Sequence, residues 1–127
     1  MKVIKRQDIK GSKRDVKFTG GNSLRFILAK DGMGYSFHET YVKKGTWHWH
    51  YKNHLESCFC VSGHGWLYDL ENNLKYEIKE GTIYLLDKHD NHKFEALTET
   101  ILISVFNPAC VGNESHDKDG NYKLITQ

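Results

Sequence analysis

Short runs rich in Val, Ile, Tyr, Phe, Trp and Thr fill most of this chain, and glycine interrupts them before any reaches the length of a helix. Glycines stand at Gly20, Gly21, Gly32, Gly34, Gly45, Gly63, Gly65, Gly81, Gly112 and Gly120, and Pro108 is the only proline. β-Branched and aromatic side chains suit a pleated, half-buried surface, and no stretch carries the 3.6-residue apolar period of a long helix. The pattern predicts an all-β sandwich or barrel. Strands are expected near 23–29, 34–42, 46–52, 55–61, 64–69, 75–78, 82–86, 92–97 and 100–106, with 69–75 as a hairpin connection turning at Asn72-Asn73.

At 127 residues the chain fits a single domain, residues 1–127, so any active site must lie in its one core or at its mouth. Eighteen Lys and Arg stand against sixteen Asp and Glu without long blocks of either sign, which argues against nucleic acid or an acidic membrane surface as partner. No run approaches the ~18 apolar residues of a membrane span, and the opening residues lack the apolar core of a signal peptide, so a cytoplasmic location is expected. Cys58, Cys60 and Cys110 are odd in number and form no CxxC pair. They read as reduced thiols of the core.

The chemistry gathers in the middle of the chain, where six of the eight histidines fall between His48 and His92. Gly45-x-x-His48-x-His50 is followed by Glu56 and Gly63, and Gly81 is followed by Asp87-x-His89-x-x-His92. Both patterns resemble the paired motifs of the cupin superfamily, in which strands of a β-barrel converge on one metal. Residues two apart on a strand share a face, so Glu56, Tyr84 and His92 can meet at one point. Such a carboxylate, phenolate and imidazole set suits a divalent ion such as Fe(II), Mn(II) or Zn(II), and three ligands leave positions open for a substrate. The gap from His50 to Glu56 shifts the strand parity of the H-x-H, which sets His48 and His50 apart as packing or supporting groups rather than ligands. His38, His64 and His89 have no partner visible in sequence and read as structural or exposed.

Four strings, GMGYSFHET at 32–40, HYKNHLE at 50–56, YLLDKHDNH at 84–92 and VFNPACVGNESHDKDGNY at 105–122, resemble the ectoine synthase family, whose enzymes make a compatible solute under osmotic stress. The resemblance implies a cupin-type antiparallel β-barrel, jelly-roll-like, closed by a C-terminal lid segment from Val111 to Gln127. It implies a homodimer and Fe(II) held by Glu56, Tyr84 and His92. It also implies a small-molecule substrate, N4-acetyl-L-2,4-diaminobutyrate, cyclised to ectoine with loss of water. Carried over position by position, Tyr51, His54, Glu114 and His116 are expected to handle protons, and Arg25, Thr40, Ser104 and Phe106 to hold substrate. Arg25 offers the two-pronged donor that a carboxylate takes. Three departures stand out: Gly21 replaces the family's tryptophan, Ser104 replaces a pocket cysteine, and one residue is missing between Gly45 and His48. A cupin enzyme with another substrate, or a non-catalytic ligand-binding cupin, is the alternative.

Overall fold

The computed structural model describes residues 1–112, 114–118 and 120–122. Ten strands form two antiparallel sheets: β1 (Asp15–Phe18), β2 (Gly21–Ile27), β3 (Ser36–Val42), β4 (Gly45–Trp49), β5 (Leu55–Ser62), β6 (His64–Asp69), β7 (Leu74–Lys79), β8 (Ile83–Leu86), β9 (His92–Ala96) and β10 (Thr100–Asn107). One sheet runs β1-β2-β3-β10-β5-β8, and the other β4-β9-β6-β7. Alternation sets the inner face. Along β10, Thr100, Leu102, Ser104 and Phe106 are buried while the residues between them are not, the period-2 signature of a strand with one face on the core. Leu28, Val42, Trp49, Tyr51, Leu67, Phe94, Leu102 and Phe106 are among the residues, drawn from both sheets and their connections, that build that core.

The expected barrel is not closed. Among the described residues no ladder joins the two sheets, so the architecture is a jelly-roll-like sandwich with β1 and β8 as the edges of one sheet and β4 and β7 as those of the other. Three elements were not expected: the helix α1 (Arg6–Ile9), the edge strand β1, and a 3-10 turn at Ala29–Asp31 where the strand expected at 23–29 has already ended. Four residues are too few to show a helical period, and β1 reads Asp-Val-Lys-Phe, too polar and short to stand out. The helix nevertheless packs on β2, where Leu24 and Ile9 are both buried.

Gly21 gains a structural reason. It pairs with Val42, and a Cβ added to it would lie 1.8 Å from the Tyr41 carbonyl oxygen. Any side chain, tryptophan included, therefore requires the β2–β3 ladder to move. Gly21→Ala is expected to destabilise the protein by about 1–3 kcal/mol, the range for overpacking a tight site. The measurement is a urea melt, with the midpoint lowered and the slope unchanged.

Candidate active site

Strand register writes the floor of the site. Arg25 lies opposite His38, His38 opposite Ser104, Ser104 opposite Cys58, and Cys58 opposite Tyr84, giving one polar row across five strands. A second row runs Ser36, Phe106, Glu56, Leu86, and a third runs Ser23, Thr40, Leu102, Cys60. From the other sheet, Trp49 pairs with His92. Glu56, Tyr84, Thr40, Ser104, Phe106, Tyr51 and His116 line one enclosed cavity of about 20 Å³.

Of the three expected metal ligands, Glu56 and Tyr84 face this cavity. His92 stands beside it, its ring 6.2 Å from that of Tyr51, and shares an adjoining groove with Tyr84. Burial pushes the Glu56 carboxyl up to about 7, against hydrogen bonds from Cys58 and Ser104 that favour the anion. Burial, reinforced by the neighbouring Cys58 and Glu56, holds the Tyr84 phenol well above its usual range. His92 Nδ1 donates to the Asp90 carbonyl at 2.9 Å, which leaves the lone pair on Nε2. That Nε2 is buried and has no partner. Burial also lowers His92 to about 4, so the ring is neutral. A buried imidazole lone pair without a partner among the described residues, sharing a groove with a phenol that in turn shares a cavity with a carboxyl, fits a divalent metal; its other nitrogen is already fixed, as ligand histidines require.

His48 and His50 lie elsewhere. His48 is exposed, sits opposite Lys93 and bonds Asn91, while the inward places on β4 go to Trp47 and Trp49. The His50 N–H donates to the Gly120 carbonyl. His89, at positive φ, donates from its ring to carbonyls of Tyr51 and His54 and so braces the loop that carries both.

The groups expected to move protons meet the tail. The Tyr51 hydroxyl lies 2.6 Å from His116 Nε2. Burial holds that phenol far above its ordinary value and lowers His116 to about 4, so Tyr51 donates and His116 accepts. His116 stacks between Trp49 and Tyr122. His54 is buried, with its Nδ1 unpartnered. The Glu114 carboxylate accepts the N–H groups of Val111 and Gly112 at 2.7 and 2.9 Å. Thr40 and Ser104 hydroxyls share a 3.0 Å hydrogen bond.

Arg25 departs from its expected role. Its fork is not open to a substrate: it donates to the Gly112 carbonyl at 3.0 Å and the Glu114 carbonyl at 2.7 Å, and lies 3.5 Å from the Glu114 carboxylate. The guanidinium also faces the Tyr122 ring at 5.6 Å. Here it anchors the tail. Of the C-terminal lid segment, residues 113, 119 and 123–127 lie outside the described residues; the rest packs over the cavity through His116 and Tyr122.

Sequence reasoning missed His38. It is 1% exposed, its Nδ1 lies 3.2 Å from the Ser23 hydroxyl, and its Nε2 has no partner. The signal was available, because His38 shares a strand face with Thr40, two residues on.

Two antiparallel sheets in jelly-roll arrangement, with a carboxyl and a phenol lining the cavity between them, have the architecture of a cupin. The fold is shared with an RmlC-like cupin from Shewanella frigidimarina, with a TM-score of 0.59 at 19% identity over 75% of this chain and 83% of that one. The family model for ectoine synthase matches residues 1–126, and the chain belongs to the ectoine synthase family. It is 47% identical to an L-ectoine synthase of Desulfosudis oleivorans over 124 residues, 95% of each chain. It is 43% identical to that of Halalkalibacterium halodurans over 126 residues, 98% of each. The crystal structure of ectoine synthase from P. lautus superposes with a TM-score of 0.87 at 35% identity, covering all of this chain and 93% of that one. No helix among the described residues is long and apolar enough to cross a membrane.

Proposed function

We propose that this hydro-lyase closes N4-acetyl-L-2,4-diaminobutyrate into ectoine, with Fe(II) held by Glu56, Tyr84 and His92. The observation that carries the reading is the buried His92 Nε2, unpartnered among the described residues, in a groove that shares Tyr84 with the cavity lined by Glu56. In the reaction the α-amine nitrogen bonds to the acetyl carbon and the carbonyl oxygen leaves as water, taking its two protons from nitrogen. A divalent ion supplies the polarisation of the amide carbonyl. The chain does the rest. Glu114 or His54 accepts the amine proton, and the Tyr51–His116 pair returns one to the departing oxygen. Phe106, Trp49 and Tyr122 keep bulk water from reversing the condensation, while Thr40 and Ser104 hold the substrate's polar groups.

The test is an anaerobic assay with Fe(II) and substrate raised to high millimolar levels. Metal-dependent ectoine formation is expected, with Ser104→Cys, which restores the cysteine the family carries in the pocket, equal to or better than wild type. Stoichiometric metal without product at any substrate level would hand the site to a different cupin substrate.

The same reading makes the protein a cytosolic homodimer. All three cysteines are buried and unpaired, as a reducing compartment keeps them. Strand β8 ends its sheet with Ile83 and Leu85 more than half exposed, an edge that a second copy covers. Light scattering at micromolar concentration is expected to return twice the 14.8 kDa chain mass. A monomer would overturn the dimer.

A further inference from the structure

A second buried cluster lies outside the Glu56, Tyr84 and His92 set. A ring nitrogen of His54, the Cys110 sulfur and a Glu114 carboxylate oxygen lie within 4.8 Å of one another, and all three residues are buried. We propose that they form a binding site for a thiophilic divalent ion, Zn²⁺, separate from the oxygen-rich centre.

Three observations support it. His54 leaves Nδ1 buried without a partner, which is costly unless something binds the ring. The other two donors are held before any ion arrives: Cys110 donates its N–H to the Ser36 hydroxyl and accepts at its carbonyl from Ala29, and Glu114 is fixed by the Val111 and Gly112 N–H groups. The donor types also differ from the first set, because thiolate with imidazole and carboxylate selects zinc over harder ions. Zinc bonds of about 2.0–2.3 Å put tetrahedral donors some 3.5 Å apart, a spacing that donors all within 4.8 Å of one another reach by small side-chain shifts. The S–H bond of Cys110 breaks, a sulfur–zinc bond forms, and the proton leaves to solvent. Arg25, beside Glu114, offsets one of the two anionic ligands. Water fills the fourth position.

An ion held here takes His54 and Glu114 out of proton transfer, so zinc inhibits ring closure. That consequence rests on the proposed function; the site itself does not.

The experiment titrates metal-free, reduced, full-length protein with Co(II), then displaces it with Zn(II). A sulfur-to-cobalt charge-transfer band is expected in the near ultraviolet. It disappears in Cys110→Ala and in Cys110→Ser, weakens in His54→Ala, and survives in Glu56→Ala and Cys58→Ala. Zinc K-edge absorption on the wild type, which needs no variant to fold, shows one sulfur at about 2.3 Å. No sulfur contribution after two equivalents of metal, or a band that follows Cys58 instead of Cys110, overturns the site. If Glu56→Ala binds as much cobalt as wild type while the Cys110 band stands, the oxygen-rich centre fails and the thiolate site remains.

Discussion

Glu56→Ala is expected to lose iron and activity together, while His48→Ala keeps both. Iron per chain after anaerobic reconstitution falls from near one to near zero, and kcat/KM falls by about 10³ or more, since Lewis-acid polarisation contributes several kcal/mol to such a step. His92→Ala behaves the same way, because it deletes the buried lone pair on Nε2 that no described residue uses. The fold survives Glu56→Ala: burial pushes that carboxyl up to about 7, so the site is costly to the free protein, and removing the group relieves it. His48 faces outward opposite Lys93, and its loss touches only a surface contact with Asn91. Iron loss in His48→Ala as complete as in Glu56→Ala would restore the ordinary cupin ligand set and defeat the parity argument.

Arg25→Ala is expected to destabilise the protein by about 3–5 kcal/mol, the cost of leaving one partner of a buried ion pair alone. The loss strips hydrogen bonds from the Gly112 and Glu114 carbonyls and leaves the Glu114 carboxylate buried without its cation. Arg25→Lys recovers little, because one ammonium cannot span two carbonyls and a carboxylate as the planar fork does. Urea melts measure the loss, and kinetics separate the two roles assigned to this residue. A group that only bound the substrate carboxylate would raise KM and leave the unfolding midpoint alone. The tail anchor moves both.

How much of this was legible in the sequence depends on the range of the interaction. Period-2 alternation is local, so the inward faces of β5, β8 and β10 could be read, and with them Glu56, Tyr84, Ser104 and Phe106. The displaced H-x-H was legible from its spacing: the gap from His50 to Glu56 is longer than the usual cupin pattern has, and the structure puts His48 in solvent. Closure was not legible. Whether two sheets join into a barrel depends on ladders between the edge strands of one (β1 and β8) and of the other (β4 and β7), and no single strand carries that information. Arg25 was placed near the site by the family resemblance, yet its partners lie 87 and 89 residues away, beyond any spacing rule. The triad of His54, Cys110 and Glu114 is likewise made by the tail's return.

That return has a consequence for how the molecule is made. Arg25 is 1% exposed in the finished fold, and its partners emerge 87 and 89 residues after it. At the ~5–20 residues per second of synthesis, a delay on the order of 4–20 s separates them. Through that interval the guanidinium lacks the two carbonyls and the carboxylate that meet it in the finished fold, so burying it on the emerging chain is costly. The catalytic floor and the segment that covers it therefore become native in one late event, and a chain cut short before Gly112 carries an unmatched cation that keeps its core from closing.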